Sequence, residues 1–331
     1  MTNLPFENIT REILVKTDAV SDPKFGCDPF KRDIPKLLDT GIVCLNKPKG
    51  PTSHMVADYI KRIFHSEKTG HSGTLDPAVT GVLPVALGSA TRVTQALLPA
   101  GKEYVCIMHV HDDVPEEKIR WAMNEFIGKI TQLPPVKSAV VRKEREREIY
   151  YLDIMEIDGR DVLFRMGCEA GTYVRKVCHD VGELLSCGAH MAELIRTKAG
   201  PFSDKTWVTL QDLEDAYAFY KEDNNEKFLR HCVKPMEIAV NHLPKVWVHD
   251  SAIDSICHGA SLNVPGIVKL HSKIQKNDLI AVMSLKEELV ALGNAFINSG
   301  QIFSEQKGLC VRINKVFMPP GVYPKRIVNA S

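Results

Sequence analysis

The chain has 331 residues, of which 44% are hydrophobic and 25% charged, with a formal net charge of +1. That length accommodates two domains with sizeable cores, and so small a net charge argues neither for nor against a polyanionic partner, leaving local clusters to decide. No apolar run approaches the roughly 18–20 residues of a membrane span, the first residues carry acids and lack an apolar signal core, and nine scattered cysteines with no CxxC pair read as free thiols of a reducing compartment rather than a disulfide framework or a zinc site.

In chain order, residues 1–40 are rich in proline, glycine and charge around "SDPKFGCDPFKRDIP" and read as an extended arm that needs another domain to pack on. "GIVCLNKPKG" (41–50) reads as a short buried strand ending in a turn. Ser53 is the expected N-cap of a helix running to about Glu67, with Val56, Tyr59, Ile60 and Ile63 at helical spacing. "KEYVCIMHVH" alternates as a strand. Asp113 and Pro115 then open a predicted helix that carries Ile119, Met123, Phe126, Ile127 and Ile130 on one face. "RKERERE" (142–148) alternates in sign and reads as a solvated hairpin or loop. Two strands follow, joined at Asp158-Gly159, then a helix from Thr172 or Tyr173 to Gly188, another after Thr209 and a short one over 225–233. Mixed elements without βαβ alternation predict an α+β fold with a largely antiparallel sheet. Beyond Pro244 the short β-type runs "KVWVHD", "DLIAVMSL", "ELVALGNAFI" and "GLCVRINKVFM" predict a small β-barrel.

The stretch "GHSGTLDPAVTGVLPV" (70–85) holds one carboxylate, Asp76, among glycine, proline and aliphatic residues. A carboxylate there is costly unless solvated, capped or paired. It reads either as an Asp capping its own turn before Pro77 or as a reactive group on a loop backed by a scaffold. "GTYVRK" (171–176) offers a phenol, Tyr173, and a cation, Arg175, two residues apart; an isolated pair of this kind is more often plain surface. GxxxxGK[ST] and GxGxxG are both absent. In "HVHDD" (109–113), His109 and His111 share a strand face and could ligate a metal, although a strand running into a helix cap explains the pattern equally well.

Together, "GIVCLNKPKGPTS", "GHSGTLDPAVTGVLPVALGSATR", "KEYV" and "GTYVRKVCHDVGELLSCGAHM" resemble the TruB-type pseudouridine synthases over residues 41–240. The β-rich C-terminus ("HGASLNVPGI", "VALGNAF") resembles a PUA RNA-binding domain. The arm and "LPPVKSAV" resemble the archaeal and eukaryotic, dyskerin-like branch, and the lack of a Lys-rich tail points to an archaeal source. The resemblance implies a pseudouridine synthase fold, with a mixed, mostly antiparallel sheet and flanking helices, over 41–243. It also implies a PUA barrel over 244–323, an arm over 1–40 packed on that barrel, and a tail over 324–331.

The chemistry so implied cuts the N1–C1′ bond of uridine, turns the base and joins C5 to C1′, with no net redox change or hydrolysis and therefore no metal or organic cofactor. Asp76 matches the catalytic aspartate, Tyr104 the tyrosine that stacks on the base near the departing C5 proton, and Arg175 the arginine that pairs with the aspartate. Tyr173 and Leu194 match pocket-lining positions, His71 the residue set against the everted nucleotide, and Lys47 a residue of the adjoining substrate-binding loop. His258, Gly259, Ala260, Pro265 and Gly266 are the expected contacts to the 3′ ACA end of a guide RNA. Expected partners are an H/ACA guide RNA, substrate rRNA or tRNA, and small accessory proteins: a zinc-ribbon subunit, a glycine-arginine-rich subunit and a kink-turn-binding, ribosomal-protein-like subunit. A cytoplasmic location with no membrane partner is expected. Two departures stand out. Ile195 and Lys198 replace arginines of the family's "ELRRTRxGPF", and Glu144, Glu146 and Glu148 make a usually basic loop less so. The competing readings are a stand-alone tRNA pseudouridine synthase and a non-catalytic RNA-binding scaffold; the joint presence of Asp76, Tyr104 and Arg175 disfavours the latter.

Overall fold

A computed structural model describes residues 3–133 and 143–325. The chain divides into two compact units. One is built from the residues up to Asn8, Val43–Val85 and Thr94–Cys232; the other from Ile9–Ile42, Ala86–Val93 and the chain from Val233 onward.

The first unit is organised by a mixed sheet. Its strands are β1 (Gly41–Lys47), β2 (Thr69–His71), β3 (Thr80–Leu87), β4 (Lys102–Val110), β5 (Gly128–Gln132), β6 (Arg145–Asp158), β7 (Asp161–Cys168), β8 (Ala189–Ala199) and β9 (Phe202–Ser203). They run in the order β1-β3-β8-β4-β7-β6-β5, with β2 on β3 and β9 on β8. β4 is central and antiparallel to both β7 and β8. β3 meets β8 in parallel at Thr80↔Ile195 and Gly81↔Arg196. Along β4 the alternate residues Cys106, Met108 and Val110 are buried, and Tyr104, which continues that alternation, sits half-buried.

Helices α1 (Ser53–Ile63), α2 (Glu116–Asn124), α3 (Val174–Leu184), α4 (Leu210–Asp223) and α5 (Glu226–Cys232) flank this sheet. α1 is capped by Thr52, whose hydroxyl accepts from the Met55 amide at 3.1 Å. The expected cap, Ser53, instead bonds the loop that carries Asp76. α1 also stops at Ile63, short of the predicted Glu67, because His65 turns left-handed (φ 49°). α2 ends at Asn124, so Phe126, Ile127 and Ile130 do not extend it. Gly128, at φ 101°, breaks the helical path, and "GKITQ" continues as β5. The 145–148 segment is strand, in keeping with the hairpin alternative: Lys129 lies opposite Glu148 and Thr131 opposite Glu146 on the antiparallel β5–β6 ladder. Most of "LPPVKSAV" falls outside the described residues. α4 carries a full capping box between Thr209 and Asp212.

The second unit contains a seven-stranded sheet in the spatial order Ile13–Val15, Ile267–His271, Lys245–Val248, Leu279–Met283, Leu289–Ala295, Leu309–Val316, Leu262–Asn263. Among the described residues, the one parallel pair of this sheet is Lys245–Val248 against Leu279–Met283. The N-terminal segment enters this sheet as a strand, with Leu14 opposite Leu270. Its following turn is gripped by Lys286, whose ammonium donates to the carbonyls of Asp22 (2.9 Å) and Phe25. Arg32 then forms a two-point ion pair with Glu237 (3.0 and 2.7 Å), both side chains buried. Val246, Ile253, Leu270, Val282 and Val290 are among the side chains of the core.

Candidate active site

The loop between β2 and β3 carries Asp76, and four separate groups hold it. The Ser53 hydroxyl accepts from the Leu75 amide at 2.8 Å and donates to the Leu75 carbonyl at 3.0 Å. The Gly50 amide donates to the Pro77 carbonyl at 2.8 Å. The Lys47 ammonium, with no solvent exposure, donates to the carbonyls of Pro48 (2.8 Å), Pro77 (3.2 Å) and Val79 (3.0 Å). Arg196, on β8, donates from Nη2 to the Gly73 carbonyl at 3.2 Å and from Nε to the Val82 carbonyl at 2.7 Å. Burial lowers the Lys47 pKa, and the Asp76 charge opposes that shift.

Arg175, in the first turn of α3, donates from Nη2 to Asp76 Oδ2. The two groups lie 99 positions apart in the chain and meet at a shared mouth, with 57% of the Arg175 side chain and 55% of Asp76 exposed. The pair is therefore open to solvent, not enclosed in a dry pocket. Tyr173 precedes α3, and its backbone is held by Gln132, whose side chain accepts from the Tyr173 amide (3.0 Å) and donates to its carbonyl (3.2 Å). Gln132 is almost fully buried on β5, so the far edge of the sheet fixes where α3 begins.

Tyr104 is the cross-strand partner of Arg196, immediately beside a register shift at Glu103/Tyr104. A β-bulge of this kind re-aims side chains and is common next to active sites. Glu103, whose strand neighbour is Tyr104, is pinned by Thr197 Oγ1 at 2.8 Å and by the Tyr151 hydroxyl at 2.5 Å. Burial raises the Tyr104 pKa; the nearby Asp76 charge adds to this, while Arg196 opposes it. Leu194, nearly buried, lies on β8 opposite Cys106. His71 ends β2; burial first, then the charges of His54 and Arg196, lower its pKa, and its Nδ1 is buried without a hydrogen-bond partner.

The structure thus gathers Asp76, Arg175 and Tyr104 by direct bond or electrostatic reach and places His71, Tyr173 and Leu194 on the same framework. Lys47 has a different task from the substrate contact expected of it: its three protons face three protein carbonyls. Lys198, which replaces a family arginine, faces inward along the sheet to Glu7 (3.0 Å) and Glu103 (3.7 Å). Arg196 was not singled out from sequence, since a charge inside an alternating strand ordinarily marks a solvated face. In the second unit, His258, Gly259 and Ala260 are exposed after the helix Asp250–Cys257, and Pro265 and Gly266 lie in the turn preceding Ile267–His271. The rings of His109 and His111 gather with His190 at centroid separations of 5.2–6.4 Å. Among the described residues, however, no group of three side chains is arranged to hold a metal ion, and none of the helices is long and apolar enough to cross a membrane.

The aspartate stands on a braced loop with an arginine on its carboxylate, and its charge is felt by the half-buried Tyr104 on β4. The chain matches the models for the TruB family pseudouridylate synthase N-terminal domain (residues 61–174) and the tRNA pseudouridylate synthase B C-terminal domain (175–241), and it belongs to that family. It also matches the PUA domain (244–317) and the DKCLD domain (2–57). Among curated relatives it is 58% identical to a "Probable tRNA pseudouridine synthase B" of Pyrococcus abyssi, covering 96% of both chains, and 53% identical to the protein of that name in Methanopyrus kandleri, covering 97% and 95%. Among solved structures it is similar to a chain of a Cbf5-Nop10-Gar1 complex (TM-score 0.93, 55% identity, 98% of both chains covered). It is also similar to a chain of an H/ACA RNP bound to a substrate RNA containing 2′-deoxyuridine (TM-score 0.91, 52% identity, 98% and 100% covered).

Proposed function

We propose that this protein is the catalytic subunit of a guide-RNA-directed H/ACA ribonucleoprotein and that it converts uridine to pseudouridine in rRNA or tRNA. The observation that carries this reading is the meeting of Asp76 and Arg175 at a braced loop in reach of Tyr104. The target nucleotide leaves its stack at a cost of a few kcal/mol and enters the mouth over the ion pair. Tyr104 stacks on the base, and the Asp76 carboxylate, aimed by Arg175, acts on the uridine while the N1–C1′ bond breaks. The base turns and C5 bonds to C1′. The C5 proton then leaves on the Tyr104 side, and N1 regains one, so the reaction balances without an oxidant or a hydrolytic water. His71 stands against the everted nucleotide, and Tyr173 and Leu194 wall the pocket.

In this reading residues 41–243 are the synthase and 244–323 the RNA-holding PUA domain, with the 1–40 arm packed on the latter and 324–331 a tail. His258, Gly259, Ala260, Pro265 and Gly266 hold the guide's 3′ end. Partners correspond to the Nop10 and Gar1 proteins of the similar complexes together with a kink-turn-binding subunit, and the particle works in the cytoplasm. The names of the curated relatives favour one second reading, a stand-alone enzyme on tRNA. Tritium release from C5-labelled uridine, measured with and without a matched guide and accessory proteins, separates the two. Guide-dependent release on rRNA-like substrates that vanishes in Asp76→Asn is expected. Full turnover by Asp76→Asn with unchanged RNA binding would refute the assignment of chemistry.

A further inference from the structure

Arg196 is a buried cation that the reaction described above leaves without a task. Its side chain is 1% exposed, and among the described residues it has no ion pair with a carboxylate. An arginine so enclosed is costly unless its protons are used, and here they are used on backbone. Nε donates to the Val82 carbonyl on β3, and Nη2 donates to the Gly73 carbonyl three residues before Asp76. On its other side Arg196 is the cross-strand partner of Tyr104, and side chains of such partners share a face. Its charge opposes the rise that burial imposes on the Tyr104 phenol. The approach of β3 that makes this possible requires Gly81, where a Cβ would lie 2.2 Å from the Arg196 carbonyl oxygen at a φ of 105°.

We propose that Arg196 is a positioning residue that ties the Tyr104 hydroxyl to the Asp76 loop, so that the group at the base edge and the carboxylate keep one fixed separation while the base turns. The inference rests on the site reading above. It assigns to Arg196 no contact with substrate: the side chain is almost fully buried, and two of its nitrogens are committed to carbonyls. A tyrosine that must stay against a rotating base gains from a fixed support. A cation on the same sheet face also lowers the cost of any negative charge the phenol gathers as the C5 proton departs.

The test uses the protein assembled with guide RNA and accessory subunits, and reads single-turnover tritium release, substrate RNA affinity and thermal unfolding. Arg196→Met is expected to slow release by about 100-fold, the scale of losing one preorganised donor, with RNA affinity unchanged. Arg196→Lys is expected to recover about tenfold of that loss, since it keeps the charge but not the fork. The deciding readout is a double-mutant cycle. In a Tyr104→Phe background the Arg196→Met loss is expected to shrink at least about tenfold, leaving only what the Gly73 carbonyl contributes. Equal losses in both backgrounds, or a wild-type rate in Arg196→Met, would overturn the proposal. Should Arg196→Met fail to fold, Arg196→Lys with and without Tyr104→Phe gives the same comparison. An active Asp76→Asn control would sink the site reading itself, whereas an inactive control beside a normal Arg196→Met would sink only this inference.

Discussion

Lys47 separates two accounts of the same residue. The resemblance places it in a substrate-binding loop, while the structure encloses its ammonium among the carbonyls of Pro48, Pro77 and Val79. Replacing it by methionine keeps the apolar stem and removes three donors. Each bond from a charged donor is worth about 1.5–3 kcal/mol, but burying the ammonium costs several kcal/mol, so the intact clamp is worth far less than the sum of its bonds. After substitution, Pro48 and Pro77 are exposed enough for water to satisfy their carbonyls, whereas Val79 is buried. One stranded carbonyl at about 1–3 kcal/mol, with some lost clamp energy, gives an expected destabilisation of about 2–3 kcal/mol, concentrated in the Asp76 loop. A reacting group displaced by 1 Å costs on the order of 100-fold in rate. Urea unfolding and single-turnover tritium release of Lys47→Met should therefore fall together, with RNA affinity and its salt dependence unchanged. If instead affinity drops, the slope of log affinity against log salt shrinks by about 0.7–0.9, the signature of one lost phosphate contact, and the rate at saturating RNA stays normal, then the ammonium reaches the RNA and the clamp reasoning is wrong.

Gly81→Ala should cost more than about 3 kcal/mol, because strain at a left-handed position adds to a Cβ 2.2 Å from the Arg196 carbonyl; thermal unfolding and activity should both report it, and near-native values would mean β3 and β8 separate freely. In the second unit, Arg32→Met strands the buried Glu237 and is expected to cost about 3–5 kcal/mol, with much of that regained when Glu237→Gln is added; purely additive losses would show that the pair is not coupled. His271 should make that unit acid-sensitive. Burial first, then the charges of Arg11, Lys245 and Lys269, push its pKa from 6.5 to about 4, and the Lys245 amide donates to its Nδ1 at 3.1 Å, which requires the neutral ring. The folded pKa lies below the unfolded one, so the contribution is complete above about pH 6.5 and is lost as pH falls toward 4. The shift corresponds to a ceiling of about 3 kcal/mol, discounted to about 1–2 kcal/mol for a partly exposed ring. Chemical denaturation from pH 7 to 4 should show a shallower loss in His271→Asn, which keeps an acceptor; an unchanged slope would remove His271 as the cause.

Much of the site was legible because its residues sit in long ordered motifs. "GHSGTLDP" and "GTYVRK" each look like ordinary loop in isolation, and only their joint resemblance brought Asp76 and Arg175 together. Helical periodicity located α1 and α3 because each buries a single stripe, as Val174, Val177 and Val181 do on α3. It failed after α2, where Phe126, Ile127 and Ile130 continue a helical spacing that the left-handed Gly128 interrupts. The supports of the site were hidden for a different reason. Lys47 and Arg196 are charges, and a charge in a strand or turn reads as solvent-facing unless one knows which carbonyls surround it. Those carbonyls belong to residues 30 or more positions away, at Pro77 and Val79 for Lys47 and at Gly73 and Val82 for Arg196. The bulge between Glu103 and Tyr104 has no glycine or proline at its own positions, and its Glu103 is held by Thr197 and Tyr151 from other strands.

The exposure of the central ion pair bears on what it is for. With both side chains more than half exposed, Asp76 and Arg175 contribute about 0–1 kcal/mol to stability, so the pair is not what keeps the loop in place. Ser53, Gly50, Lys47 and Arg196 already do that through backbone groups, and they leave the Asp76 carboxylate free of structural duty. An uncovered pair in water is also only weakly reactive as an electrostatic unit, because solvent screens it. The missing element is desolvation, which the described residues do not supply at the pair itself. A nucleotide everted over the pair, stacked on Tyr104, would exclude water and strengthen the attraction several-fold by lowering the local dielectric. The substrate thus completes the electrostatics of the site that acts on it, and truncating the base to an abasic sugar should leave the pair as hydrated as in the free protein.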